Sequence, residues 1–179
     1  THSHHLPEQA ALDFNLDKLI SNTYLQWMQI TPGSTAESRS AYLEKVRYKS
    51  FFAWLQKSVQ ELYGISDPIT AGNWDSISDQ ISKAHQNPAF YMDVLKNKCK
   101  YQNIIVDTYW NPGSDNGRPE LFTPSFRLDL FFLGYKKGLR NHDGVSLEER
   151  FGEFPDNLQD YVEWVKTWII RKKNAGCVA

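Results

Sequence analysis

Ile104-Ile105-Val106 narrows the fold more than any other segment: three consecutive β-branched residues with no polar alternation. A strand open to water on one face alternates apolar and polar residues. A strand covered on both faces reads instead as a short continuous apolar run. Helical patterns lie on either side of this run, and strands of this type alternating with helices point to parallel βα units. Phe126 to Leu133 is expected to be the next strand. Cys177-Val178-Ala179 is expected to begin a further one, after a helix that ends at Gly176.

Residues 8–100 read as a largely helical insertion. Pro7 to Leu12 is a loop or short helix, and Asn15 or Asp17 caps a helix carrying Leu19, Ile20, Tyr24 and Trp27. Thr31-Pro32-Gly33-Ser34 breaks it. Ser34 or Thr35 then caps a single helix whose stripe runs Leu43, Val46, Phe51, Trp54, Leu55, Val59 and Leu62. Gly64 stands where a helix C-terminus wants a residue tolerant of positive φ. Asn73 caps a helix with Trp74, Ile77, Ile81 and Ala84 on one face, and Pro88 suits the first turn of another, reaching about Lys100. Beyond the Ile104 run, the turn-formers of residues 111–117 make a loop. Asn157 to Lys173 is a long amphipathic helix.

Composition sets limits on partners. The 179 residues are 41% hydrophobic, enough for one packed domain. Twenty basic against twenty-one acidic residues, without a long single-sign run, give no reason to expect nucleic acid. No apolar stretch approaches the roughly 20 residues of a membrane span. Two cysteines, Cys99 and Cys177, are too few for a disulfide framework, and a cytoplasmic, reducing setting is expected. The chain opens on Thr1 rather than Met and stops where a strand should begin, so it reads as a piece of a longer protein.

His2-Ser3-His4 carries the chemistry. Residues i and i+2 of a strand face one side, so both imidazoles would meet at the strand's end. Imidazole is the commonest biological ligand for zinc-like metals. The competing reading is the remnant of a purification tag or a polar tail, and the pair alone divides evenly between the two. His5 would face away as a wall residue.

These residues also carry a resemblance. His2-Ser3-His4-His5-Leu6-Pro7 resembles the His-x-His segment ending the first barrel strand of amidohydrolase-superfamily enzymes, and more particularly of the uronate isomerase branch. Phe51-Phe52-Ala53-Trp54-Leu55 through Leu62-Tyr63-Gly64-Ile65 is similar to that branch's helical insertion. Asn87-Pro88-Ala89-Phe90, followed by Asn103-Ile104-Ile105-Val106-Asp107-Thr108, resembles its approach to the second strand. Pro124-Ser125-Phe126-Arg127-Leu128-Asp129 looks like its Phe-Arg-x-Asp strand, and Ala175-Gly176-Cys177 like the start of the next. The order and spacing of the segments carry the resemblance over nearly the whole chain.

The resemblance implies an α/β fold: the N-terminal portion of a (β/α)8 TIM-type barrel. Such barrels take about 250 residues. Residues 1–7 would end the first strand, 8–100 would be the insertion, and 101–179 would form βα units of one incomplete domain. It implies a divalent metal, zinc by first choice, held by His2 and His4, with the main catalytic residues beyond residue 179. A metal-dependent hydrolase of a small carboxylate-bearing substrate is the first expectation. A uronate isomerase acting on sugar acids is the second, and a catalytically incomplete barrel fragment the third. Membrane and nucleic-acid partners are not expected; a homo-oligomer is left open.

Arg127 suits a substrate carboxylate, since a guanidinium binds one through two parallel hydrogen bonds. It serves equally well in a structural Arg–Asp pair. Asp129 shares its strand side and is weighted towards structure. Trp110 is a pocket wall or a packing residue. Asp107 either orients a ligand histidine or caps its turn, the cap being favoured. His85 reads as a solvated helix residue and His142 as a loop residue. Gly113 to Gly117 lacks the Lys-Ser/Thr of a phosphate loop. Two segments depart from the isomerase pattern: residues 22–28 lack its His, Lys and Arg, and residues 107–112 lack its paired acidic residues. A pocket without such groups leaves sugar hydroxyls unpaired, which weighs against the isomerase.

Overall fold

The computed structural model describes residues 2–108, 111–141 and 144–178; the side chains of His2, Ser3 and Met28 are outside that description. The chain divides into two compact units, one of residues 7–101 and one joining residues 1–6 to 102–179.

The first unit is helical. It contains α1 (Glu8–Ala11), α2 (Leu16–Ser21), a 3-10 turn (Tyr24–Met28), α3 (Ala36–Val46), α4 (Ser50–Tyr63), α5 (Trp74–His85) and α6 (Ala89–Asp93), which runs into a π-helical turn (Val94–Lys98). Asn15 caps α2 by accepting the Lys18 N–H at 2.8 Å. At α3, Thr35 and Ser38 form a reciprocal capping box, so two orphan donors of the first turn are satisfied together. Gly64 ends α4 at φ 69°, the left-handed conformation that glycine adopts without a Cβ penalty. Leu16, Val46, Val59, Trp74 and Ile81 meet in a core sealed from water.

Two expectations are corrected here. The stripe from Leu43 to Leu62 is two helices, broken at residues 47–49. Only part of it is buried: Val46 and Val59 face the core, while Trp54 is 67% exposed. The Tyr24 and Trp27 positions form a 3-10 turn after α2 has ended, and both rings are exposed.

The second unit holds a parallel sheet. Its strands are β1 (His2–Ser3), β2 (Ile104–Val106) and β3 (Phe122–Pro124), adjacent in the order β1-β2-β3. Ser3 stands opposite Val106, and Val106 opposite Pro124. Val178 continues the series through a parallel bridge to Ser125, its N–H donating to the Pro124 carbonyl at 2.9 Å. Ile104 and Val106 are fully buried but Ile105 is 38% exposed, so one face of β2 is only partly covered. The link from β2 to β3 contains no helix among the described residues.

The expected strand over Phe126 to Leu133 is corrected as well. The strand is Phe122–Pro124, and Asp129–Leu133 is a 3-10 turn. Leu130 and Phe131 are both buried while Phe132 is 86% exposed, a pattern that no two-residue period produces. Phe131 stacks on Phe151 at 5.1 Å and meets Trp164 edge-on. Phe151 belongs to α7 (Leu147–Phe151), and Trp164 to α8 (Leu158–Asn174). The Tyr161 hydroxyl donates to the Phe131 carbonyl at 2.9 Å, tying α8 to that turn. Asn157 caps α8 by accepting the Asp160 N–H.

Candidate functional site

The register of the sheet places the site. Since Ser3 pairs with Val106, the next residues, His4 and Asp107, leave neighbouring strands at the same level. Arg127 follows three residues after β3. All three therefore lie beyond the carboxyl ends of adjacent parallel strands, where open and closed α/β sheets bind ligands.

There they converge. His4 Nδ1 lies 2.8 Å from the main-chain carbonyl oxygen of Asp107. A carbonyl only accepts, so Nδ1 bears a proton, and in the neutral ring the lone pair is on Nε2. The Asp107 carboxylate stands 3.6 Å from Nδ1, beyond hydrogen-bond range. Its Oδ2 instead accepts from Arg127 Nε at 2.7 Å. The Asp107 side chain is 5% exposed, against 36% for His4 and 31% for Arg127. A buried carboxylate is thus flanked by two partly open groups. Asp107 thus meets the histidine through its main-chain carbonyl and Arg127 through its carboxylate.

Asn116 anchors the neighbouring loop. Its backbone takes φ 55°, and its Nδ2 donates to the His5 carbonyl at 2.8 Å, fastening residues 111–117 to the end of β1. The His5 ring packs on Phe122 at 5.5 Å, and burial pushes its pKa below the usual imidazole value. It occupies a wall position. Sequence reasoning missed Asn116; its one signal was an asparagine before glycine in a loop, a residue that tolerates the left-handed region.

Arg127 and Asp129 do not share a strand face, yet both line one crevice with Leu130, Asn141, Arg150 and Phe151. Its free space is about 10 Å³, close to that of a single water. Asp129 accepts from Asn141 Nδ2 at 3.0 Å, which supports its structural weighting. Trp110 and His142 lie outside the described residues, as does the side chain of His2, so the facing of the His2–His4 pair is outside them too. His85 is corrected: it is 8% exposed, its Nε2 is 2.8 Å from the Tyr63 hydroxyl, and it packs against Phe14 and Phe90.

His4 fits the part of a metal ligand. Ligating imidazoles almost always donate their other N–H to a carbonyl or carboxylate, which fixes the tautomer and the ring plane. Among the described residues no group of three His, Cys, Asp or Glu gathers around a common point. The described donors therefore fit one ligand and its outer support rather than a full set. Cys99 and Cys177 are both free thiols. Among the described residues no helix is long and apolar enough to cross a membrane. The chain matches no protein-family model, no curated protein and no solved structure.

Proposed function

We propose that this chain is the amino-terminal part of a (β/α)8 barrel whose strand ends contribute to a metal-dependent hydrolase site of the amidohydrolase type. The substrate class is a small carboxylate-bearing amide, ester or lactone, handled in the cytoplasm. One observation carries the reading: His4, at the carboxyl end of β1, is held through Nδ1 by the Asp107 carbonyl. That leaves Nε2 as the coordinating nitrogen, with His2 as its companion by resemblance. A zinc-like ion held there by His4 and His2 would polarise a substrate carbonyl and lower the pKa of a water molecule. Asp107 orients the imidazole, and Arg127 binds the carboxylate of the substrate. The strand order β1-β2-β3-Val178, parallel and sequential, agrees with the start of such a barrel.

A second reading, the sugar-acid isomerase, is favoured by one feature. Such an enzyme needs extra cations for its substrate, and the Arg127 and Arg150 side chains stand near one another, around a space that admits only about one water. The test begins with metal analysis of the protein after zinc loading and dialysis. The expected result is a bound divalent ion that His4→Ala removes. No bound ion, or one that His4→Ala leaves untouched, would overturn both enzyme readings. Hydrolysis of N-acyl amino acids and lactones, set against aldose–ketose exchange of uronic acids, then separates the two.

A further inference from the structure

His4 and Arg127 stand on different strands and are given different tasks in the proposed site, yet one residue holds both. Asp107 engages His4 through its main-chain carbonyl and Arg127 through its side chain. The guanidinium fixes the carboxylate at 2.7 Å, and a fixed side chain restricts the backbone that bears the carbonyl. Asp107 is 3% exposed as a whole residue, so solvent has little share in its orientation. We propose that Asp107 is a positioning residue that couples the metal ligand to the carboxylate-binding arginine. Arg127, which is no ligand, then governs the setting of the His4 ring, and an anion drawn to Arg127 is felt at the metal. This rests on the metal-dependent reading for its consequence, but the coupling itself is a property of the metal-free chain.

The experiment uses Arg127→Gln, the similarly sized Asp107→Leu, which keeps the main-chain carbonyl but can accept nothing from Arg127, and the two combined. Two readouts are taken on each: the 1H–15N correlation pattern of the His4 ring without metal at about pH 8, where imidazole is neutral, and zinc affinity by competition with a chromophoric chelator. His4→Gln assigns the ring signals. The wild type should show the Nδ1–H tautomer. Arg127→Gln should blur that pattern towards a tautomer mixture and loosen zinc about 10-fold, in the range for outer-shell partners. Adding it to Asp107→Leu, where the link to Arg127 is already gone, should cause no further change. An unchanged His4 pattern in Arg127→Gln, or two effects that simply multiply, overturns the coupling. If the wild type binds no zinc, the metal-dependent reading falls, and the ring signals alone still decide the coupling. Near-ultraviolet circular dichroism of the Phe131–Phe151–Trp164 cluster checks that each variant is folded.

Discussion

The Nε of Arg127 donates to Oδ2 of Asp107 across a 2.7 Å contact between residues that follow adjacent strands. Breaking a buried pair by removing one partner costs about 3–5 kcal/mol, because the other charge is left desolvated. Here the guanidinium is 31% exposed, and water can partly replace it. Arg127→Ala is therefore expected to lower stability by about 1–3 kcal/mol. Asp107→Asn should cost less, since the amide still accepts from Arg127. Urea denaturation measures both, and an Arg127→Ala midpoint equal to the wild type would show that the pair holds nothing together. With a carboxylate substrate, the same variant should also raise KM.

His85 gives the helical unit a dependence on pH. Its ring is enclosed by Tyr63, Phe14 and Phe90, and burial lowers its pKa, partly offset by the hydrogen bond to the Ala11 carbonyl. Burial holds the Tyr63 phenol well above its ordinary pKa, so its hydroxyl stays a donor to Nε2. In the window between the lowered folded value and about 6.5 the unfolded chain binds the extra proton. The stabilisation is therefore complete above about pH 6.5 and fades as pH falls through the folded value. Urea midpoints between about pH 7 and pH 5 should fall more steeply for the wild type than for His85→Gln; parallel curves would contradict the assignment. Tyr63→Phe should cost about 1 kcal/mol at neutral pH by leaving the ring nitrogen unserved.

What the sequence conveyed was local. Ile104-Ile105-Val106 is a strand, Asn15 and Thr35 cap their helices, and Gly64 ends one, because each signal sits within a few residues of its effect. The compact helical unit spans residues 7–101, where the helical pattern of the sequence starts and stops. Phe126 to Leu133 misled because a short apolar run serves a strand or a tight helical turn equally well. The break at residues 47–49 contains neither glycine nor proline, so no local residue announces it. Asp107 was hardest to read, since His4 is 103 positions away and only the strand register brings them together. His85 reads as polar on a helix, and its burial depends on Phe14 and Tyr63 from other helices.

Gly113 and Gly117 separate backbone strain from crowding in the loop that flanks the site. Both have positive φ, 86° and 75°, where an alanine is strained by about 1 kcal/mol. A Cβ at Gly117 would meet nothing within 4 Å. At Gly113 it would come within 3.0 Å of Lys172 Nζ and 3.2 Å of Cys177 Sγ. The lysine end can swing aside, giving up its 3.4 Å contact with the Pro112 carbonyl and its place 5.2 Å over the Phe126 ring. The thiol is held next to Val178, whose bridge to Ser125 extends the sheet, and it has less room to give. Gly117→Ala should thus cost about 1 kcal/mol and Gly113→Ala about 2–3 kcal/mol. Hydrogen exchange at the Val178 amide should speed up in Gly113→Ala alone. Equal losses for the two variants, with Val178 protected in both, would mean that the loop does not bear on the strand that follows α8.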